Sequence, residues 1–207
     1  MRHKNLSNYY HNLVTSKSWR LLQALRKNYN FILIGGWAVF LYTHALKSKD
    51  IDLILEYPEL AKIKERFEVS KNNRLKKYEA RSAEVEIDIY VPHYSNPGLP
   101  AEDLKNFEVS QEGFKTLEKE VLSILKLQAL RQRVRTVKGR KDLIDLVSLF
   151  NLTDFDWQRY QNVLVKYQLR ENSKFANEIL GKTREIEELS LNVHKMSRLK
   201  KRILPFI

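Results

Sequence analysis

The chain has no cysteine, which excludes disulfides, thiolate nucleophiles and cysteine-based zinc sites. Carboxylates, histidine and water remain as metal ligands, so any bound metal is expected to be a hard cation. Six glycines and five prolines in 207 residues are too few for a collagen-like or linker protein. No run approaches the roughly 18 uninterrupted apolar residues of a membrane-spanning helix. The basic opening MRHKNLSNYYHNLVTSKSW shows no apolar run followed by a small-residue cleavage site. No membrane association and a cytoplasmic location are therefore expected. What the chain does have is 43% hydrophobic residues, enough for one compact domain or two small ones and too many for a disordered chain.

Charge of one sign is in excess. Lys and Arg number 37 against 25 Asp and Glu, a formal net charge of +12, which favours an anionic partner such as nucleic acid or a nucleotide polyphosphate.

Hydrophobic periodicity divides the chain in two near residue 116. In the first part, residues 5–29 repeat apolar positions at helical spacing, and FILIGG reads as a short buried strand stopped by glycines. The apolar segment WAVFLYTHAL is expected to be a buried helix that breaks at Lys47-Ser48-Lys49. DIDLILEY then reads as a strand with Asp50 and Asp52 on one face and Ile51, Leu53 and Leu55 on the other. A short helix over 57–66 and a polar, strand-like stretch over 67–80 follow. AEVEIDIYVP repeats the alternation, with Glu84, Glu86 and Asp88 on one face. HYSNPGLPAEDL is expected to be a loop, and FEVSQEGFKTL a hairpin turning at Glu112-Gly113. From Leu117 the chain reads as helical: EKEVLSILKLQALRQR, RKDLIDLVSLF, DWQRYQNVLVKY and a long stretch from Ser173 to Arg202.

The stretch from Gly35 to Leu55 carries the chemistry. Two glycines let the backbone approach a phosphate closely, and the helix that follows offers unpaired N–H groups at its positive end. Two carboxylates two residues apart on a strand project side by side, and a third on a neighbouring strand, Asp88, completes an oxygen cage for one or two Mg²⁺ ions. Unpaired acids gathered on one sheet face in a basic protein repel one another unless a cation lies between them. The plainer reading is a sheet with one solvated acidic face. Glu84 and Glu86 are the weaker ligand candidates, Glu84 because it lies near the strand end.

Gly35-Gly36, then Asp50-Ile51-Asp52, then Glu86-Ile87-Asp88 resembles the DNA polymerase β-type nucleotidyltransferase superfamily over residues 31–91. Thirteen residues separate Gly36 from Asp50, and Asp88 follows Asp52 by 36. LSILKLQALRQR followed by GRKDLIDLVSL is similar to the C-terminal signature of the AbiEii-type toxin branch. The chain departs from the pattern in carrying Trp37 after the glycines and no Ser beside them. The resemblance implies an α/β (α+β) nucleotidyltransferase domain over 1–116, with a small mixed sheet flanked by helices and an acid-bearing open face. A helical domain over 117–207 would wall a cleft.

By the same resemblance, Asp50, Asp52 and Asp88 bind Mg²⁺ or Mn²⁺, with Asp88 also the base. Gly35, Gly36 and Lys49 contact the NTP, Lys126 contacts phosphate, and Asp142 is the acidic residue of the later motif with Asp145 beside it. The implied reaction moves a nucleoside monophosphate from an NTP to an acceptor hydroxyl. The implied acceptor is tRNA or another RNA, and the implied partner is a cognate antitoxin. A small-molecule, antibiotic-type acceptor, a non-catalytic nucleotide- or RNA-binding protein of the same fold, and an antitoxin-like partner-binding role are the alternatives.

Plainer roles stand beside several of these residues: a solvated lysine for Lys126, helix-start electrostatics for Asp142, a surface salt bridge for Asp145, and a core or supporting role for His44. His11, His93 and His194 have no partner at metal-ligand spacing. The basic run from Arg131 to Lys141 reads either as a solvated helix junction or as a phosphate track. The tail HKMSRLKKRILPFI reads as an amphipathic segment packed on the body.

Overall fold

The computed structural model describes residues 2–207, with side chains from Asn12 onward, so the side chain of His11 lies outside the described residues. The chain forms two compact units. One comprises the chain up to Leu41 together with Lys47–Leu117; the other comprises Tyr42–Leu46 and Glu118–Ile207.

The first unit opens with helix α1 (Arg2–Asn28), which leads into β1 (Ile32–Ile34), α2 (Gly35–Thr43), β2 (Ile51–Ile54) and α3 (Tyr57–Lys64). Strands β3 (Val69–Asn72), β4 (Lys77–Ser82) and β5 (Val85–Tyr90) follow, then α4 (Ala101–Leu104), β6 (Glu108–Gln111) and β7 (Phe114–Leu117). All seven strands join one mixed sheet in the order β3-β4-β5-β2-β1-β7-β6. The centre is formed by the most apolar strands. Ile32, Leu33 and Ile34 are all buried in β1, which pairs antiparallel with β2 and parallel with β7. Strand β5 alternates as period two requires, with Val85, Ile87 and Ile89 buried, Glu86 exposed and Asp88 half-buried. The β6–β7 hairpin turns at Glu112 and Gly113, whose φ values of 48° and 76° are those of a two-residue type I′ turn.

Two local expectations are corrected. Helix α2 ends at Thr43 rather than at Lys47, because His44 adopts a left-handed conformation with φ 50°. His44 is consequently exposed and is not a core residue. The segment HYSNPGLPAEDL is not loop throughout, since its last four residues form the single turn of α4.

The second unit is helical: α5 (Lys119–Arg133), α6 (Val137–Phe150), α7 (Trp157–Lys166), α8 (Arg170–Lys182) and α9 (Val193–Ile203). Thr136, Asp156 and Asn192 cap α6, α7 and α9, each side chain accepting a backbone N–H three residues on. The stretch from Ser173 to Arg202 is two helices rather than one. Between them Ile186 and Leu191 form an isolated antiparallel bridge, and Ser190 turns through φ 53°. Phe150, Phe155, Trp157 and Tyr160 make an aromatic cluster with ring centroids 4.6–5.9 Å apart. The tail packs on it: Met196, Leu199 and Ile203 are buried, Phe206 stacks on Trp157 at 5.7 Å, and Arg202 donates to the Asn151 carbonyl. Among the described residues no helix is long and apolar enough to cross a membrane.

Candidate active site

The first unit interlocks the glycine turn with the aspartate pair. Antiparallel pairing sets Asp52 of β2 opposite Ile34, the last residue of β1, and the chain turns into α2 at Gly35 with φ +71°. A Cβ built on Gly35 would lie 2.0 Å from Asp52 Oδ2 and 2.5 Å from its Cγ. The Asp52 carboxylate thus occupies the space that any side chain at position 35 would need, and the positive φ is itself one that L side chains rarely adopt. Gly36 follows, buried, in the first turn of α2, where amide N–H groups have no partner within the helix. Trp37, the departure from the family pattern, is a packing residue. It is buried against the rings of Trp19 and Phe40, and its indole N–H donates to Ser18 Oγ at 2.8 Å.

Parallel pairing of β2 with β5 sets Asp52 directly beside Asp88. Neighbouring strands lie about 4.8 Å apart, so the two carboxylates share one patch of the sheet face. Asp88 is mostly buried, and that burial pushes its carboxyl above the ordinary aspartate value; Lys77 works against the shift, while Glu79 and Asp50 add to it. Lys49 and Asp50 are half-buried in the segment entering β2.

Lys77 and Glu79, on β4, belong to the site although neither is a candidate from the sequence. The Lys77 ammonium lies 2.6 Å from Asp88 Oδ2 and 3.0 Å from Glu79 Oε1. Burial disfavours its charge, yet Asp88 and Glu79 hold it above the ordinary lysine value. The signal that marks it is cross-strand: antiparallel pairing of β4 with β5 sets Glu79 opposite Asp88 and Arg81 opposite Glu86, so Lys77, Glu79 and Arg81 share the acidic face. Glu86 is bonded to Arg81 at 3.0 Å and Glu84 to Lys17 at 3.0 Å, both exposed. A groove of about 420 Å³ runs over this face, lined by Glu68, Ser70, Glu79, Ala80, Arg81, Glu86 and Asp88. Among the described residues no three His, Asp or Glu side chains are drawn together as a metal-ion set. The cation found against Asp88 is the lysine.

In the second unit, α5 and α6 bring Lys126, Asp142 and Asp145 together. Lys126 Nζ lies 2.7 Å from Asp145 Oδ2 and 3.5 Å from Asp142 Oδ1, and Arg133 Nε donates to Asp142 Oδ2 at 2.7 Å. Lys126 is therefore not a solvated lysine, Asp145 is fully buried rather than a surface partner, and Asp142 lies well inside α6 rather than at its start. Burial pushes the Asp145 carboxyl up, against the pull of Lys126. The basic run is partly neutralised in place: Arg131 pairs with Glu171 at 3.0 Å, Arg133 with Asp142, and Arg140 with Glu188 at 2.9 Å.

No protein-family model and no curated protein matches the chain. Solved structures do. A candidate nucleotidyltransferase of H. pylori superimposes with a TM-score of 0.50 at 16% identity, covering 93% of this chain and 96% of that one. The Helicobacter pylori protein JHP933 superimposes with a TM-score of 0.50 at 15% identity, covering 95% and 93%. At such identities the likeness is one of fold, and the fold of this chain, a mixed seven-stranded sheet flanked by helices, is nucleotidyltransferase-like.

Proposed function

We propose that the chain is a divalent-metal-dependent nucleotidyltransferase that moves a nucleoside monophosphate from an NTP to a hydroxyl of RNA. The observation that carries this reading is the interlock of Gly35 with Asp52, in register with Asp88. A solvated acidic face has no reason to fit a carboxylate into the missing side chain of a helix-leading glycine.

The donor types fit a divalent cation, although among the described residues three carboxylates are not drawn together while Lys77 stands against Asp88. The donors are carboxylates, the largely buried Asp88 carboxyl calls for a positive neighbour, and the Lys77 ammonium already stands in that position. Asp50, Asp52 and Asp88 would hold Mg²⁺ or Mn²⁺. When bound, the cation neutralises triphosphate charge and acidifies the attacking hydroxyl. The amides of Gly35 and Gly36 seat the phosphates at the positive end of α2. Asp88, its proton affinity raised by burial, accepts the proton of the acceptor hydroxyl. The acceptor oxygen bonds to the α-phosphorus, the bond from that phosphorus to the β-phosphate oxygen breaks, and pyrophosphate leaves with the electron pair. Lys49 takes the nucleotide contact that the resemblance implies, whereas Lys126 and Asp142, held by Asp145 and Arg133, serve the pairing of α5 with α6.

Within nucleotidyltransferases, the helix pair α5–α6 favours the AbiEii-type toxin branch, with a tRNA as acceptor, a cognate antitoxin as partner and the cytoplasm as the place of action. The net charge of +12 supports an RNA acceptor. The test is incubation of the protein with each α-³²P-NTP, Mg²⁺ and total RNA beside Asp52→Asn and Asp50→Ala. Label on an RNA band with the wild type alone is expected, both variants remaining folded by circular dichroism. Equal labelling by a folded Asp52→Asn would overturn the reading.

A further inference from the structure

Three cations of the first unit are placed differently from the arginines of the basic run. Lys64 on α3, Lys71 on β3 and Lys76 at the tip of the β3–β4 hairpin are all exposed. Among the described residues none of the three makes an ion pair with a carboxylate, whereas Arg131, Arg133 and Arg140 each do. Their ammonium groups gather instead over two tyrosines. Lys71 Nζ lies 4.4 Å from the ring centre of Tyr94 and 5.9 Å from that of Tyr78, Lys76 Nζ 5.4 Å from Tyr94, and Lys64 Nζ 5.2 Å from Tyr78. The two rings are 5.7 Å apart and tilted by 52°. The Tyr94 hydroxyl, within hydrogen-bond reach of Asn73 Oδ1 at 3.0 Å, ties its ring to the hairpin.

Three uncompensated lysines and two half-exposed aromatic faces on one edge of the sheet are the components of a single-stranded nucleic-acid surface. Cations track the phosphates, and unpaired bases stack on rings. We infer that this edge docks single-stranded RNA, presenting the acceptor strand to the site described above; the inference rests on the proposed nucleotidyl transfer. The same strand carries both functions. Tyr78 and its cross-strand partner Lys71 lie on one face of the hairpin, while Lys77 and Glu79 lie on the face of Asp88, so a strand docked on the tyrosines reaches Asp88 by passing around the hairpin at Lys76.

The experiment measures binding of a fluorescein-labelled oligouridylate by anisotropy over a range of salt. The proteins are the wild type, Lys71→Gln/Lys76→Gln and Tyr94→Leu, with melting midpoints as fold controls. The lysine pair should flatten the slope of log affinity on log salt by about 1.4, roughly 0.7 for each single-strand phosphate that the protein ceases to neutralise. Tyr94→Leu should weaken binding on the order of tenfold with little change in that slope. Folded variants that bind as the wild type does would overturn the inference. So would equal wild-type affinity for duplex RNA, polyglutamate or phosphatidylserine vesicles, which would reveal a general anion surface. The two readings fail separately. RNA labelling that survives with wild-type affinity in the lysine variant removes the docking surface and leaves the activity standing. Lysine-dependent RNA binding by a protein that transfers no nucleotide removes the activity and leaves the surface.

Discussion

Gly35 is the residue at which the sequence and the proposed chemistry meet. Its φ of +71° already disfavours a side chain, and the nearest atom to a new Cβ is the carboxylate oxygen of Asp52 at 2.0 Å. Gly35→Ala should therefore lower stability by at least about 2 kcal/mol in urea unfolding and abolish transfer, since Asp52 must leave its position. A variant with wild-type midpoint and turnover would show that the interlock is incidental. Lys77 gives a second prediction. Lys77→Met leaves the Asp88 carboxylate largely buried without its cation, which should reduce metal-free stability by about 1–3 kcal/mol. Added Mn²⁺ should then raise the melting midpoint of the variant more than that of the wild type; an equal response would contradict a shared cation site. That Gly35, Asp52 and Asp88 come together is legible in the sequence, because their spacing alternates with turn and strand. The part of Lys77 and Glu79 is not, because a lysine in a polar stretch acquires meaning only when β4 pairs with β5.

Among the elements, α5 and α6 depend on a buried ion pair. Lys126 and Asp145 are nearly or fully buried at 2.7 Å, so Lys126→Met, which strands Asp145, should destabilise by about 3–5 kcal/mol. Burial raises the Asp145 carboxyl above its ordinary value, so the folded state keeps this proton at a pH where the unfolded chain has released it. Its contribution to stability is present below the ordinary aspartate range and is lost as pH rises through the raised value. Asp145→Asn should flatten the decline of the urea midpoint over that window relative to the wild type; parallel curves would contradict it. Existence and type of the long helices were readable from periodicity. Two breaks were not: His44 stops α2, and Ser190 turns the connection between α8 and α9, both in left-handed conformations.

For the whole molecule, the succession of strands and helices followed by helices alone is written in the hydrophobic periods. The sheet order is not. That β7 joins β1 in parallel, with Thr116 donating to the Leu33 carbonyl at 2.8 Å, depends on pairing between residues 83 positions apart. The net charge of +12 pointed to an anion but not to a surface, because much of the basic run is spent on internal acids while Lys64, Lys71 and Lys76 are not. Nucleotidyl transfer is the proposed activity, and the Gly35–Asp52–Asp88 interlock is its proposed site. The most direct test is parallel incubation of the wild-type protein, Mg²⁺ and total RNA with α-³²P- and γ-³²P-labelled NTP. Label on RNA from the α position only is expected, with the γ label appearing in pyrophosphate. Label carried from the γ position, or from neither under conditions where NTP is bound, would contradict it.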